Sequence, residues 1–255
     1  MKGVILAGGS GTRLRPLTKV TNKHLLPIYK WPMIYYPLHT LIDAGITQIL
    51  VVSGPDTLPE LIDLLGDGGE FGVDLTYRVQ MFPGGIPHAI SIAEPFVGKE
   101  KFVSIHGDNI LLDSMREHVQ TFAKGKEECR LVLVEATPEA AQKSGVVAFD
   151  AKGDVKEFIE KSPQPPSQWV VTGMYMLTPH VFDLIRSFKP RQRGELESTD
   201  LYNGYLSRKT LATTKLQNGW IDAGTFDDLI KTTRYMQEHF ENSIFAKYAS
   251  KYQRI

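Results

Sequence analysis

The chain has 255 residues, 42% hydrophobic, 10% aromatic and 23% charged, enough to bury the core of one large domain or two small ones, which excludes a disulfide miniprotein, a coiled coil and a disordered tail. Twenty-nine Lys and Arg balance 29 Asp and Glu, with no basic stripe of the kind a phosphate backbone requires, so no nucleic acid partner is expected. A single Cys129 excludes a disulfide framework and points to a reducing compartment, and the short apolar run Val4-Ile5-Leu6-Ala7 is neither signal peptide nor membrane span, so the protein reads as cytoplasmic with no membrane partner.

In chain order, a buried strand over 4–7 runs into a glycine cluster. Pro32 opens a predicted helix whose apolar positions Ile34, Leu38, Leu41 and Ile42 follow helical spacing up to Gly45, and 49–52 is the next buried strand. Thr57-Leu58-Pro59-Glu60 reads as a capping box starting a helix that ends at Gly66, and strands follow at 75–79, 102–105 and 131–134. This is the rhythm of βα units. After Gly145 the rhythm changes: strands at 146–149, 155–159 and 169–177 are separated only by turns such as Ala151-Lys152-Gly153-Asp154, so antiparallel pairing is expected. The run Ser162-Pro163-Gln164-Pro165-Pro166-Ser167 reads as a surface connection. A long polar helix is predicted over 225–252, with Phe226, Leu229, Thr233, Met236 and Phe240 on one face that can pack on the domain or on a second subunit of a homo-oligomer.

The strongest chemical signal is Leu6-Ala7-Gly8-Gly9-Ser10-Gly11-Thr12-Arg13-Leu14, directly after the first strand. Glycines let backbone N–H groups approach an anionic ligand, and a strand-to-loop transition in an open α/β sheet sits at the carboxyl edge where ligands bind. A tight turn alone would explain one or two of the glycines but not the arginine behind them. The loop lacks the Lys-Ser/Thr pair of a Walker A motif and the third glycine of the dinucleotide fingerprint, which sets ATPases and NAD-binding enzymes aside.

Further pieces follow in order: Pro16-Leu17-Thr18, Asn22-Lys23-His24-Leu25-Leu26-Pro27-Ile28, Gln80, Gly85-Ile86, Gly107-Asp108-Asn109, Glu160-Lys161, Val171-Thr172-Gly173-Met174-Tyr175, Arg193-Gly194-Glu195-Leu196-Glu197-Ser198-Thr199-Asp200 and Trp220-Ile221-Asp222-Ala223-Gly224-Thr225. Together they resemble the sugar nucleotidyltransferases, and within them the glucose-1-phosphate thymidylyltransferases, in a short form without a C-terminal extension. The resemblance implies a Mg2+-dependent reaction in which a hexose 1-phosphate oxygen attacks the α-phosphorus of dTTP in line and pyrophosphate leaves; UTP is the alternative nucleotide. Positioning and charge neutralisation are the main tasks of such a protein.

The resemblance carries Arg13, Lys23, Asp108 and Lys161 over as catalytic residues. It implies that Leu6, Gly8, Gly9, Gly11, Thr12, Arg13, Gln80, Gly85 and Asp108 bind nucleotide, with Ile86 lining the base pocket. It places the hexose on Gly145, Glu160, Lys161, Thr172, Gly173 and Glu197, and the metal on Asp108 and Asp222. Two carboxylates leave most of an octahedral Mg2+ shell for phosphate oxygens and water. Five positions depart from the family pattern: Pro87-His88 replaces Ala-Gln, Ser144 an aromatic, Ser162 a proline and Ser198 an isoleucine.

The expected architecture is α/β, a Rossmann-like nucleotidyltransferase fold whose mixed, mostly parallel central sheet has helices on both faces, plus an antiparallel sugar-binding portion. One domain is expected over 1–255: a nucleotide-binding half over about 1–144, a sugar-binding half over about 145–224 and a C-terminal helix over about 225–255. A rival reading, a catalytically silent nucleotide-sugar sensor, is opposed by the presence of Arg13, Lys23, Asp108, Lys161 and Asp222 together.

Overall fold

Aliphatic runs bounded by glycine and polar turns form the strands, and a computed structural model describes residues 1–9, 11–188 and 198–251. Strand β1 (Lys2–Leu6) leads through the glycine loop and the two-residue strands β2 (Pro27–Ile28) and β3 (Trp31–Pro32) to helix α1 (Tyr35–Asp43) and strand β4 (Gln48–Ser53). Helix α2 (Leu58–Leu65) and strand β5 (Asp74–Val79) follow, then α3 (Gly85–Ser91), α4 (Glu94–Val97) and β6 (Phe102–His106). Next come β7 (Asn109–Leu111), α5 (Arg116–Lys124), β8 (Cys129–Glu135), α6 (Pro138–Ala141), β9 (Gly145–Phe149), β10 (Val155–Glu160) and β11 (Trp169–Leu177). Helices α7 (His180–Ser187) and α8 (Ser198–Ser207), strands β12 (Leu211–Lys215) and β13 (Trp220–Asp222) and helix α9 (Phe226–His239) come after them.

Nine strands make one sheet with the path β10-β9-β11-β6-β1-β4-β5, and β8 lies on the other edge of β11 and carries β12. Following the pairings, β1, β4, β5, β6, β8, β9 and β12 share one direction and only β10 and β11 oppose it. The sheet is therefore mixed and mostly parallel, with its antiparallel part in the second half, as the sequence predicts.

Alternation along the strands feeds two cores. Ile5, Val51, Val103 and Ile105 face α1 through Leu38 and Leu41, while Val4, Leu50, Val52 and Phe102 face Ile90, Val97, Val181 and Ile185 from α3, α4 and α7. All of these side chains are excluded from water completely except Ile185, which is 6% exposed, each contributing roughly 1.5–3 kcal/mol of burial. Strands covered on both faces explain why the first half reads as continuous apolar runs rather than alternation.

The topology fixes where a ligand goes. From β1 the chain steps outward to β4 and β5, then returns to the other side of β1 as β6. The reversal opens a crevice at the carboxyl ends of β1 and β6. The glycine loop leaves β1 there, and Gly107-Asp108 leaves β6.

Several predicted elements change. Pro32 lies in β3 and α1 begins three residues later, because Met33 and Ile34 spend their N–H groups on the carbonyls of Leu26 (3.0 Å) and His24 (2.9 Å). The capping box does not form: the Thr57 hydroxyl bonds Ser53 Oγ (2.8 Å) and Gly54 O (3.3 Å). Glu60 instead accepts from Asn22 N (2.9 Å) and Thr21 Oγ1 (3.1 Å), anchoring the loop that carries Lys23. The C-terminal helix stops at His239, not 252, because the chain is drawn into an aromatic cluster: Phe240 meets Trp31 at 4.9 Å, Phe245 meets Tyr36 at 5.0 Å and Tyr248 stacks on His39 at 4.1 Å. Lys247 closes the segment with an ion pair to Asp43. On α9, Thr232 and Met236 are buried, whereas Phe226 is exposed and Thr233 only half-buried. Among the described residues, no helix is long and apolar enough to cross a membrane.

Candidate active site

The glycine loop takes up the crevice because its backbone is free to do so. Gly9 and Gly11 hold φ of 98° and 57°, in the left-handed region. Gly8 matters for a different reason: a Cβ there would lie 2.5 Å from Gln80 Oε1, so any side chain at this position would push the Gln80 amide aside. Leu14, fully buried, pins a 3₁₀ turn over Thr12–Leu14 and leaves Arg13 exposed beside it.

The acidic centre is built by strand pairing. Asp222 ends β13 in register with Asn109 of β7, and Ala223 N donates to Asp108 O at 3.1 Å, which sets the two aspartates side by side although 114 positions separate them (222 less 108). Lys23 Nζ donates to Asp108 Oδ2 at 2.5 Å, and Asn109 Nδ2 donates to Asp108 Oδ1 at 3.1 Å. Asp222 Oδ1 is buried and has no hydrogen-bond partner. A Cβ on Gly224 would lie 2.7 Å from Arg13 Nη2 and 3.0 Å from Asp222 Oδ1, so the arginine approaches this carboxylate over a bare backbone.

The two carboxylates respond oppositely to this setting. Burial pushes the Asp222 carboxyl up to about 6, and the neighbouring Asp108 adds to the rise against the pull of Lys23 and Arg13. Burial also works against ionisation of Asp108, but Lys23 in direct contact and the charges behind it win, holding its carboxyl below the usual range. Burial, reinforced by Lys23, takes His24 down to about 3, and burial likewise lowers His106. Both imidazoles are thus neutral at physiological pH. A buried, partnerless carboxylate oxygen beside a second carboxylate is the donor set of a divalent cation, and Asp108 and Asp222 fit one.

Two cavities meet at this centre. The larger, about 1200 Å³, is lined by Arg13, Gly145, Glu160, Lys161, Thr172, Gly173 and Asp222; the smaller, about 250 Å³, by Leu6, Gly8, Gly9, Lys23, Gln80 and Asp108. Gly85, Ile86 and His106 line both. The combined space exceeds the roughly 300–1,000 Å³ of an ordinary small-molecule site, so two substrates can meet in it. Arg13 lines the larger cavity with Asp222, whereas Gln80 and Gly8 line the smaller, and Gly11 and Thr12 line neither.

At the far wall, β10 ends at Glu160 and the chain turns sharply. Lys161 holds φ of 47°, left-handed for a residue with a side chain, and its N–H donates to Ser144 O at 3.1 Å. Such a conformation costs on the order of 1 kcal/mol or more and persists where the surroundings impose it. The turn leaves the lysine side chain 70% exposed, with Nζ 3.8 Å from Glu160 Oε1. Thr172 and Gly173 sit where the pairing of β11 with β8 slips between Val171 and Tyr175, a bulge that turns strand backbone toward the cleft. Glu197 lies outside the described residues. Cys129 is fully buried in β8 and burial raises its thiol, so it is a core residue.

Residue-by-residue reading misses the scaffold behind these groups. Asn109 Oδ1 accepts from Gly173 N (2.8 Å) and Trp220 Nε1 (2.6 Å), tying β7, β11 and β13 together. His106, whose Nε2 lies 3.3 Å from the Tyr175 hydroxyl, separates the cavities. Asn109 and Trp220 stand inside the motifs Gly107-Asp108-Asn109 and Trp220-Ile221-Asp222, which is the signal that could have marked them.

Comparison with known proteins identifies the family. The family model described as nucleotidyl transferase matches residues 2–239. The chain is 40% identical over 239 residues to the glucose-1-phosphate thymidylyltransferase of Neisseria gonorrhoeae, covering 93% of this chain and 83% of that one. It is 38% identical over 239 residues to the low-salt glycan biosynthesis nucleotidyltransferase of Haloferax volcanii, covering 93% of this chain and 66% of the relative. Among solved structures, a glucose-1-phosphate thymidylyltransferase candidate from Bacillus anthracis, in complex with a sucrose, superposes with a TM-score of 0.88 at 41% identity over 93% of this chain and 96% of the other. A UDP-glucose pyrophosphorylase complexed with UDP-glucose superposes with a TM-score of 0.83 at 25% identity, over 93% and 98% of the two chains. With a family model spanning nearly its whole length, a switch-point crevice and paired aspartates within it, the chain belongs to the nucleotidyl transferase family.

Proposed function

We propose that the chain joins dTTP to glucose 1-phosphate or a related hexose 1-phosphate, giving a dTDP-hexose and pyrophosphate, with Mg2+ as the metal. The observation that carries this reading is the Asp108–Asp222 pair at the junction of two cavities, one bearing Gln80 and the glycine loop and the other Glu160 and Lys161. A divalent cation held by the two aspartates would supply charge neutralisation for the triphosphate.

The remaining work falls to the chain itself. Arg13, close to Asp222, and Lys23, on Asp108, offset charge that builds on departing pyrophosphate. Gly8 and Gly9 bring backbone close to the nucleotide, with Gln80, Gly85 and Ile86 around the base. Lys161 holds the hexose phosphate in line, and Glu160, Gly145, Thr172 and Gly173 receive the sugar hydroxyls. Replacing Lys161 by Ala is expected to raise KM for hexose 1-phosphate about tenfold while leaving that for the nucleotide nearly unchanged. Equal rises in both constants would move Lys161 out of the sugar site.

UTP is the second nucleotide to consider, since the superposed UDP-glucose pyrophosphorylase carries a UDP-sugar. Thymine and uracil differ by one methyl, worth about 1–3 kcal/mol in an apolar pocket, so dTTP is expected to lead UTP roughly tenfold to a hundredfold in kcat/KM, with UTP still used. Pyrophosphate release from glucose 1-phosphate, Mg2+ and each nucleoside triphosphate in turn tests the reading. Predominant UDP-sugar at equal nucleotide concentrations would replace it with the uridylyl reaction, and no release with any nucleotide would remove it.

A further inference from the structure

The two aspartates of the centre are unequally available. Both oxygens of Asp108 accept hydrogen bonds, Oδ2 from Lys23 Nζ at 2.5 Å and Oδ1 from Asn109 Nδ2 at 3.1 Å. Asp222 Oδ1 is buried and accepts none. The side chains of Lys23 and Asp108 are only 15% and 10% exposed, so water and salt screen their contact poorly. The backbone under the lysine is fastened: Glu60 accepts from Asn22 N at 2.9 Å, and Asn22 Oδ1 accepts from His24 N at 2.9 Å. The side chain, by contrast, lines the small cavity beside Gly8 and Gly9, and Asp108 is the acceptor of its Nζ among the described residues. An ammonium on a flexible stem above an anchored backbone can exchange one set of oxygens for another.

We propose that Lys23 holds the place of the divalent cation on Asp108 and gives it up when a nucleoside triphosphate offers replacement oxygens, so that cation and nucleotide bind together rather than independently. A cation arriving alone has to strip Lys23 from Oδ2, and it leaves a largely buried ammonium without its contact partner, which is costly. A triphosphate in the small cavity accepts the ammonium and removes that cost. The coupling is reciprocal, since the same exchange makes each ligand tighten the other. Arg13 supplies an internal comparison. It is a second cation beside the pair, close to Asp222 over Gly224, yet it makes no hydrogen bond to Asp222 Oδ1 and acts on that carboxylate through space.

The inference rests on the metal and nucleotide assignments above, and binding measured on the unreacting protein separates it from them. Mn2+ is the probe, its free concentration read by electron paramagnetic resonance without nucleotide, on wild type, Lys23→Met, Lys23→Gln and Arg13→Met, with the fold checked by circular dichroism. Lys23→Met and Arg13→Met each remove one positive charge near the aspartates, but only the first uncaps Asp108. Lys23→Met is expected to bind Mn2+ about tenfold or more tightly than wild type, and Arg13→Met at most about threefold more tightly. Lys23→Gln, whose amide still caps Asp108 without the charge, is expected to lie between the two and carries the comparison if Lys23→Met does not fold. The reciprocal arm uses no metal: in EDTA, Asp108→Asn is expected to bind dTTP severalfold more tightly than Asp222→Asn, because only the first frees Lys23. Equal tightening of Mn2+ in the Lys23 and Arg13 variants, or dTTP binding in EDTA that is no tighter in Asp108→Asn than in Asp222→Asn, overturns the exchange. Mn2+ bound by none of the folded proteins overturns the metal assignment itself, and a wild type that binds no dTTP in the presence of Mg2+ overturns the nucleotide assignment.

Discussion

Replacing Asp108 by Asn is expected to lower kcat by 10² or more. The substitution keeps the shape of the side chain and the acceptor for Asn109 Nδ2, so the change is one of charge. Asp108 is 7% exposed, and the charge it loses is one of two that would hold the divalent cation, whose share of transition-state stabilisation is worth several kcal/mol. It is also the ion-pair partner of Lys23, whose side chain is 15% exposed and is left with only the more distant Asp222. Unpairing a partly buried lysine destabilises the fold, but relief of the repulsion on Asp222 works the other way. The melting temperature is therefore expected to change far less than kcat. Turnover at saturating substrates across a Mg2+ series checks the assignment, and near wild-type turnover at limiting Mg2+ would refute it.

The site divides cleanly into what one chain segment encodes and what only folding assembles. Strands β1, β4 and β6 are legible because parallel strands covered on both faces must be apolar throughout, and 102–105 with Asp108 just behind it already places a carboxylate at the carboxyl edge. Lys161 at a strand end is legible in the same way, since β10 closes a hairpin whose turn residues are local. The partnership of Asp108 with Asp222 is not, because it depends on the pairing of β7 with β13, three residues each and far apart in sequence. The failed capping box teaches a related lesson. Thr57 and Glu60 have the right spacing, but Glu60 satisfies two donors of a distant loop, and a tertiary hydrogen bond outcompetes a local one that water can replace. A helix reaching 252 fails for the opposite reason: nothing in the local spacing shows that Phe240, Phe245 and Tyr248 are claimed by rings on the segment 31–39.

Asn109→Ala is expected to cost about 3–5 kcal/mol of stability, read as a fall of about 10 °C in the melting temperature. Asn109 is 1% exposed, and its single carbonyl oxygen satisfies both Gly173 N and Trp220 Nε1. Removing it leaves the buried Gly173 N without an acceptor, at about 1–3 kcal/mol, takes a second bond from the half-buried Trp220 at the cavity wall, and adds the cost of the space vacated. Gly173 packs so tightly that a Cβ would lie 2.4 Å from Asn109 Oδ1 and 2.5 Å from His106 Nδ1. Asn109→Asp separates scaffold from charge. A carboxylate still accepts from Gly173 and Trp220, so much of the stability is expected to return, but it replaces the donor to Asp108 Oδ1 with a third negative charge beside Asp108 and Asp222. Repulsion among these groups is expected to depress kcat strongly in Asn109→Asp despite its recovered melting temperature. A melting temperature for Asn109→Ala within 2 °C of wild type would show that the β11 bulge and β13 hold their positions without this side chain, and the account of how the two aspartates are brought together would have to be rebuilt on the strand pairing alone.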